Sequence, residues 1–90
     1  MFINKTKSGK NNLCGENVAV LRKKMGLSQR ELAERLQLQG LDVEKNAVQR
    51  IEAGKRFVTD IELVVLSAVL KTEMKELVSG SKADDHASQK

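Results

Sequence analysis

Along the chain the apolar positions fall into five runs at helical spacing, joined by short polar or glycine-containing connections. The first, from about Glu16 to Met25, turns Val18, Leu21 and Met25 inward and ends at Gly26, a residue suited to closing a helix. The second opens on Ser28-Gln29-Arg30-Glu31. There the Ser28 hydroxyl can accept the amide three residues on, while the Glu31 carboxylate reaches back to the Ser28 amide, so a helix start is expected. Leu32, Ala33 and Leu36 then form its buried stripe. The third run, about Glu44 to Ala53, points Val48 and Ile51 inward, with Val43 packing ahead of its first turn. Thr59-Asp60-Ile61-Glu62 repeats the capping pattern for a fourth helix, and Glu73 to Val78 suggests a short fifth with Met74, Leu77 and Val78 inward. The expected fold class is all-α, a compact five-helix domain.

The fourth run stands apart. Leu63-Val64-Val65-Leu66 and Ala68-Val69-Leu70 leave Ser67 nearly alone as a polar residue. A helix that is apolar all round needs burial on more sides than a small bundle provides. The surplus is expected to form a surface for a second copy of the chain, with burial by the N-terminal arm as the competing arrangement.

The outer face of the third run is polar and poor in acid. Lys45, Asn46, Gln49 and Arg50 can all donate hydrogen bonds to phosphates or base edges. A buried helix supporting such a helix is the logic of a helix-turn-helix. Charge moves the same way. Residues 1–58 hold 12 basic and 6 acidic side chains, and residues 59–90 hold 4 and 6, so the positive excess gathers where a polyanion would bind. The ends are different in kind. Residues 1–13, with Lys5, Lys7 and Lys10 and no acid, read as a flexible basic arm, in which Phe2 and Ile3 offer a small anchor. Residues 79–90 read as a disordered polar tail, leaving 14–78 as the folded domain.

The run Leu21-Arg22-Lys23-Lys24-Met25-Gly26-Leu27-Ser28-Gln29, continued by Glu31-Leu32-Ala33 and Leu36 and followed by Val48-Gln49-Arg50-Ile51-Glu52-Ala53-Gly54-Lys55-Arg56, resembles the phage-repressor (Xre/Cro-like) helix-turn-helix family. The resemblance spans about Gly15 to Val78. It implies a repressor-type fold that binds double-stranded DNA. It further implies that Lys45 and Asn46, with Gln49 and Arg50 one turn on, read bases, and that Gln29, Lys55 and Arg56 meet phosphates. Members of the family often carry charged or small polar residues near Val65, Ala68 and Val69, so the resemblance places the apolar surplus of the fourth helix at these three. Arg22 is expected to pair with Glu52 at the end of the recognition helix and to hold its guanidinium near the DNA backbone. In one respect the chain departs from the family. The connection between its second and third helices is some five residues longer than usual, so the second helix should continue to Leu38, with Gly40 as its left-handed cap and Asp42 opening the third. Leu38 and Leu41 are expected to pack beneath this extension. Glu44 stands where the family has serine or threonine, favouring the helix dipole but repelling a nearby phosphate.

Catalytic and metal chemistry find no constellation. Cys14 is a single thiol without a base or a second sulfur, His86 lies in the tail, and Asp84-Asp85 is a tail charge pair. No enzyme activity, metal, cofactor or small-molecule ligand is expected. No apolar run reaches membrane-spanning length and no signal-peptide core is present, so a soluble cytoplasmic protein is expected. The functional expectation is a sequence-specific transcriptional regulator, a repressor occupying its operator as a homodimer. The alternative is an antitoxin or adaptor-type interaction module whose apolar fourth helix docks a protein partner.

Overall fold

The computed structural model describes residues 5–79; Phe2, Ile3, His86 and the tail from residue 80 lie outside them. Five helices follow one another: α1 (Gly15–Lys24), α2 (Gln29–Leu38), α3 (Lys45–Glu52), α4 (Asp60–Val69) and α5 (Met74–Val78). No strand occurs among the described residues. α2 packs on α3 and α4, α1 on α3 and α5, and α4 on α5. Their inner faces meet in a core of Val18, Leu32, Leu36, Val48, Ile51, Leu66 and Leu77, joined by Cys14, Ala33, Val43 and Leu70. Burying each large aliphatic side chain fully is worth about 1.5–3 kcal/mol, the main force holding so small a bundle together.

Two helix starts carry complete capping boxes. The Glu31 amide donates to Ser28 Oγ at 3.0 Å and the Ser28 amide to Glu31 Oε1 at 2.8 Å. The equivalent Thr59 and Glu62 bonds are 3.1 and 3.0 Å. α3 begins differently: its N-cap is Glu44, which makes no side-chain capping bond, and the exposed Asp42 does not open the helix as expected. The ends of α1 to α4 share one closure, in which the second residue past the cap bonds back five positions. Thr72 N to Ser67 O, at 2.9 Å, closes α4. The left-handed position is glycine in the first three helices but Lys71, at φ 58°, in the fourth.

The long connection after α2 is tied at both ends. Gly40 takes φ 92°, Leu41 N donates to Leu36 O at 3.0 Å, and Gln37 Nε2 donates to Val43 O at 2.7 Å. Val43 is buried and Leu41 half-buried. Leu38, expected beneath the extension, is instead 84% exposed. The helix continues to Leu38, and two residues past Leu36 is a rotation of about 200°, which carries the side chain to the face opposite the buried stripe.

The N-terminal stretch from Lys5 to Leu13, expected as a free arm, forms a turn closed by Thr6 N to Lys10 O at 2.8 Å and then lies against the end of α3. The reason is local chemistry: Asn11 and Asn12 supply amide donors to the Lys55 and Arg56 carbonyls past α3 and a further one to Ile51 within it. A third asparagine does the same elsewhere. Asn17 on α1 donates to the Leu77 and Ser79 carbonyls at 2.7 and 2.8 Å and to Glu76 O at 3.2 Å, capping α5.

Candidate nucleic-acid interface

The geometry of the interface starts at a buried ion pair. Arg22, only 9% exposed, donates from Nε to Glu52 Oε2 at 2.6 Å and from Nη2 to Glu52 Oε1 at 3.0 Å. Its Nη1 donates to the Leu27 carbonyl at 2.8 Å, so the guanidinium joins α1, the turn before α2 and the end of α3. The hydrogen bonds to Glu52 raise its pKa further above its ordinary value, so it stays charged. Gln29 Nε2 donates to the same Glu52 Oε1 at 2.9 Å. Glu52 thus accepts three bonds, two from α1 and one from the first residue of α2. Two N–H groups of Arg22 remain for a phosphate, on a side chain that is mostly buried.

α3 presents one polar face outward. Lys45, Asn46, Gln49 and Arg50 are all exposed, and their side chains make no hydrogen bond or ion pair with the described residues. Val48 and Ile51, on the opposite face, anchor the helix at 1% and 2% exposure. Asn46, Gln49 and Arg50 line a shallow groove with Ala53 and Lys55. Lys55, in the loop leaving α3, is exposed beside them. Donors able to reach base edges and a cation able to reach phosphate therefore share one surface.

Arg56 stands apart from that set. Its Nη1 and Nη2 donate to Glu62 Oε1 and Oε2 at 3.0 and 3.1 Å, and Nη1 also donates to the Phe57 carbonyl at 3.2 Å. The Arg56 bonds, followed by those from Thr59, hold the Glu62 carboxyl below its usual range, offset in part by burial. Arg56 thereby links the loop after α3 to the capping box of α4. This engagement was not readable from sequence, since Glu62 already had a sufficient role in the cap.

The apolar surplus of α4 also lies elsewhere than expected. Of Val65, Ala68 and Val69, only Ala68 is exposed; the two valines are half-buried against the core. The helix's outward apolar positions are Ile61, at 69% exposure, Val64, at 51%, and Ala68, spaced i, i+3 and i+7. Ala68 and Val69 also border a shallow groove with Arg35, Leu38, Gln39 and Lys71, so the exposed Leu38 of α2 adjoins this face.

Among the described residues no cluster of His, Cys, Asp and Glu could hold a metal ion, and no helix is long and apolar enough to cross a membrane. Cys14, buried at the N-cap of α1, has its thiol pKa pushed up to about 11, chiefly by burial. No curated protein matches the chain. The helix-turn-helix family matches residues 18–77, from the first turn of α1 to the last buried residue of α5. That span covers the Arg22–Glu52 pair, the capping box of α2 and the polar face of α3, and the chain belongs to the helix-turn-helix family of DNA-binding regulators.

Proposed function

We propose that the protein is a sequence-specific repressor that occupies a double-stranded operator as a homodimer and has no enzymatic activity. The observation that carries the reading is the outward face of α3, where Lys45, Asn46, Gln49 and Arg50 stand uncommitted on a helix oriented by the buried Arg22–Glu52 pair. Lys45, Asn46, Gln49 and Arg50 read bases; Asn46 and Gln49 suit adenine, Lys45 and Arg50 guanine. Lys55 and the first turn of α2 at Gln29 contact phosphate, and Arg56 joins them on exchanging Glu62 for the backbone. Two copies meeting through the Ile61, Val64 and Ala68 face place two recognition helices on half-sites about one helical turn, ~34–36 Å, apart.

Binding to a randomised duplex library at two salt concentrations, with recovery of the bound sequences, tests this. Enrichment of a two-fold symmetric site that weakens steeply with salt supports the reading. Salt-sensitive binding without enrichment removes sequence reading from it, and no binding at low salt sinks it. Replacing Asn46 and Gln49 by alanine is expected to flatten sequence preference while sparing most nonspecific affinity. A second reading rests on the exposure of Leu38, Ile61 and Val64: an interaction module docking a different protein. Sedimentation of the pure protein separates the two, because a stable homodimer covers that face without another partner.

A further inference from the structure

Asn12 is bonded at both ends of its carboxamide. Nδ2 donates to the Ile51 carbonyl at 3.1 Å and to the Arg56 carbonyl at 2.7 Å, while Oδ1 accepts the Gly15 amide at 2.8 Å, at the first residue of α1. Beside it, Asn11 donates from Nδ2 to the Lys55 carbonyl at 3.0 Å and from its backbone amide to the Gly54 carbonyl at 2.7 Å. The stem of Lys10 covers Gly54, where an added Cβ would meet its Cγ and Cδ at 2.8 Å. Four successive points on the exit of α3, residues 51, 54, 55 and 56, are therefore held by two asparagines. The residue type is demanding. Asparagine offers two N–H donors to two carbonyls and an oxygen behind them for an amide; aspartate of the same shape offers no donor.

We propose that Asn12, with Asn11 beside it, is a positioning residue of the DNA interface. It fixes the Lys55–Arg56 loop against α1 and so sets where the Lys55 ammonium meets a phosphate. The proposal rests on the DNA-binding reading. The Lys55 side chain is exposed and has no partner among the described residues, so its place is decided by the backbone beneath it. With that backbone released, ordering the loop falls on the binding step and weakens the contact.

The first arm of the test measures the salt dependence of duplex binding for wild type, Lys55→Ala, Asn12→Ala and the double variant, on a selected site or otherwise a mixed-sequence duplex. Losing one phosphate contact lowers the slope of log affinity against log salt by about 0.9. Lys55→Ala is expected to show that loss and Asn12→Ala most of it, with the double variant losing no more than Lys55→Ala alone. A full slope in Asn12→Ala, or additive losses in the double variant, overturns the proposal. The second arm needs no DNA and follows amide hydrogen exchange in the free protein. In both Asn12→Ala and Asn12→Asp the Gly54 and Lys55 amides should exchange about tenfold faster while α2 is unchanged, the signature of a local opening. Equal acceleration in α2 makes Asn12 a contributor to global stability only and overturns the positioning role. Loop release in a protein that binds no duplex keeps the loop-holding role and overturns the DNA reading instead.

Discussion

Replacing Glu52 with glutamine tests the centre of the architecture. The wild-type carboxylate accepts three bonds, at 2.6 and 3.0 Å from Arg22 and at 2.9 Å from Gln29, with 8% of its side chain exposed. Glutamine keeps the shape but has one acceptor oxygen, and its NH2 group must face a donor. Arg22 would remain charged and buried without a counter-charge. Removing one partner of a buried pair costs about 3–5 kcal/mol, and the pair's slight exposure places the loss near the lower end. A domain of this size has a total stability of about 4–11 kcal/mol, so a loss of about 3 is a large fraction of it. With a urea slope of about 1 kcal/mol per molar, the midpoint should fall by about 3 M in equilibrium denaturation followed by circular dichroism. Adding Arg22→Met to Glu52→Gln should recover part of the loss, because the stranded charge is gone even though the Leu27 carbonyl loses its donor. A single-variant loss below about 1 kcal/mol is the behaviour of a solvent-screened surface pair. That result would refute the argument that this pair fixes the angle of α3.

Other consequences are open to simple measurements. Lys71 holds φ 58° at the closure of α4, so Lys71→Gly should be neutral or stabilise by up to about 1 kcal/mol, read from the same urea curve; a clear loss would mean the lysine side chain contributes more than its strain. Glu62 has a lowered pKa in the folded state, so its contribution is fully present above about pH 4.5 and is lost as pH falls through the lower, folded value. Stability of Glu62→Gln should consequently fall less steeply with acid than that of wild type, Glu31 supplying part of the remaining slope through its own capping bonds. The buried Cys14 thiol, with its pKa near 11, should react with iodoacetamide at pH 8 only on opening; a rate equal to that of a free cysteine would contradict its burial.

Local rules carried the reading of the chain a long way. Ser28 with Glu31 and Thr59 with Glu62 announce their helices because a capping box needs residues three apart in sequence, and both formed. Val48 and Ile51 face inward for the same reason: helical period alone determines it. Nonlocal geometry was less legible. Leu38 looked like core because leucine is apolar, yet the continuation of α2 rotates it outward. Val65 and Val69 looked surplus, but α4 lies so that they pack and Ile61 and Val64 do not. Arg56 reads as a free cation until α4 brings Glu62 to 3.0 Å. Asn11 and Asn12 gave no signal at all, because asparagine before a helix has many local uses and its carbonyl partners lie 39 to 44 residues away.

Those separations bear on the order in which the molecule assembles. Asn12 bonds to the exit of α3, and Asn17 reaches 60 and 62 residues ahead to Leu77 and Ser79. During synthesis α1 emerges before the other four helices, while the carbonyls that its Asn17 satisfies lie in α5, the last of the five, and just past it. Helix α2 and its neighbour α3 have the shorter loop to close and the buried pairing of Leu32, Leu36, Val48 and Ile51 to drive it. Docking of α1 is therefore expected to be a late step, its bonds to α5 forming only once residue 79 is available. Substitutions at Asn12 or Asn17 should accordingly speed unfolding while leaving the folding rate almost unchanged.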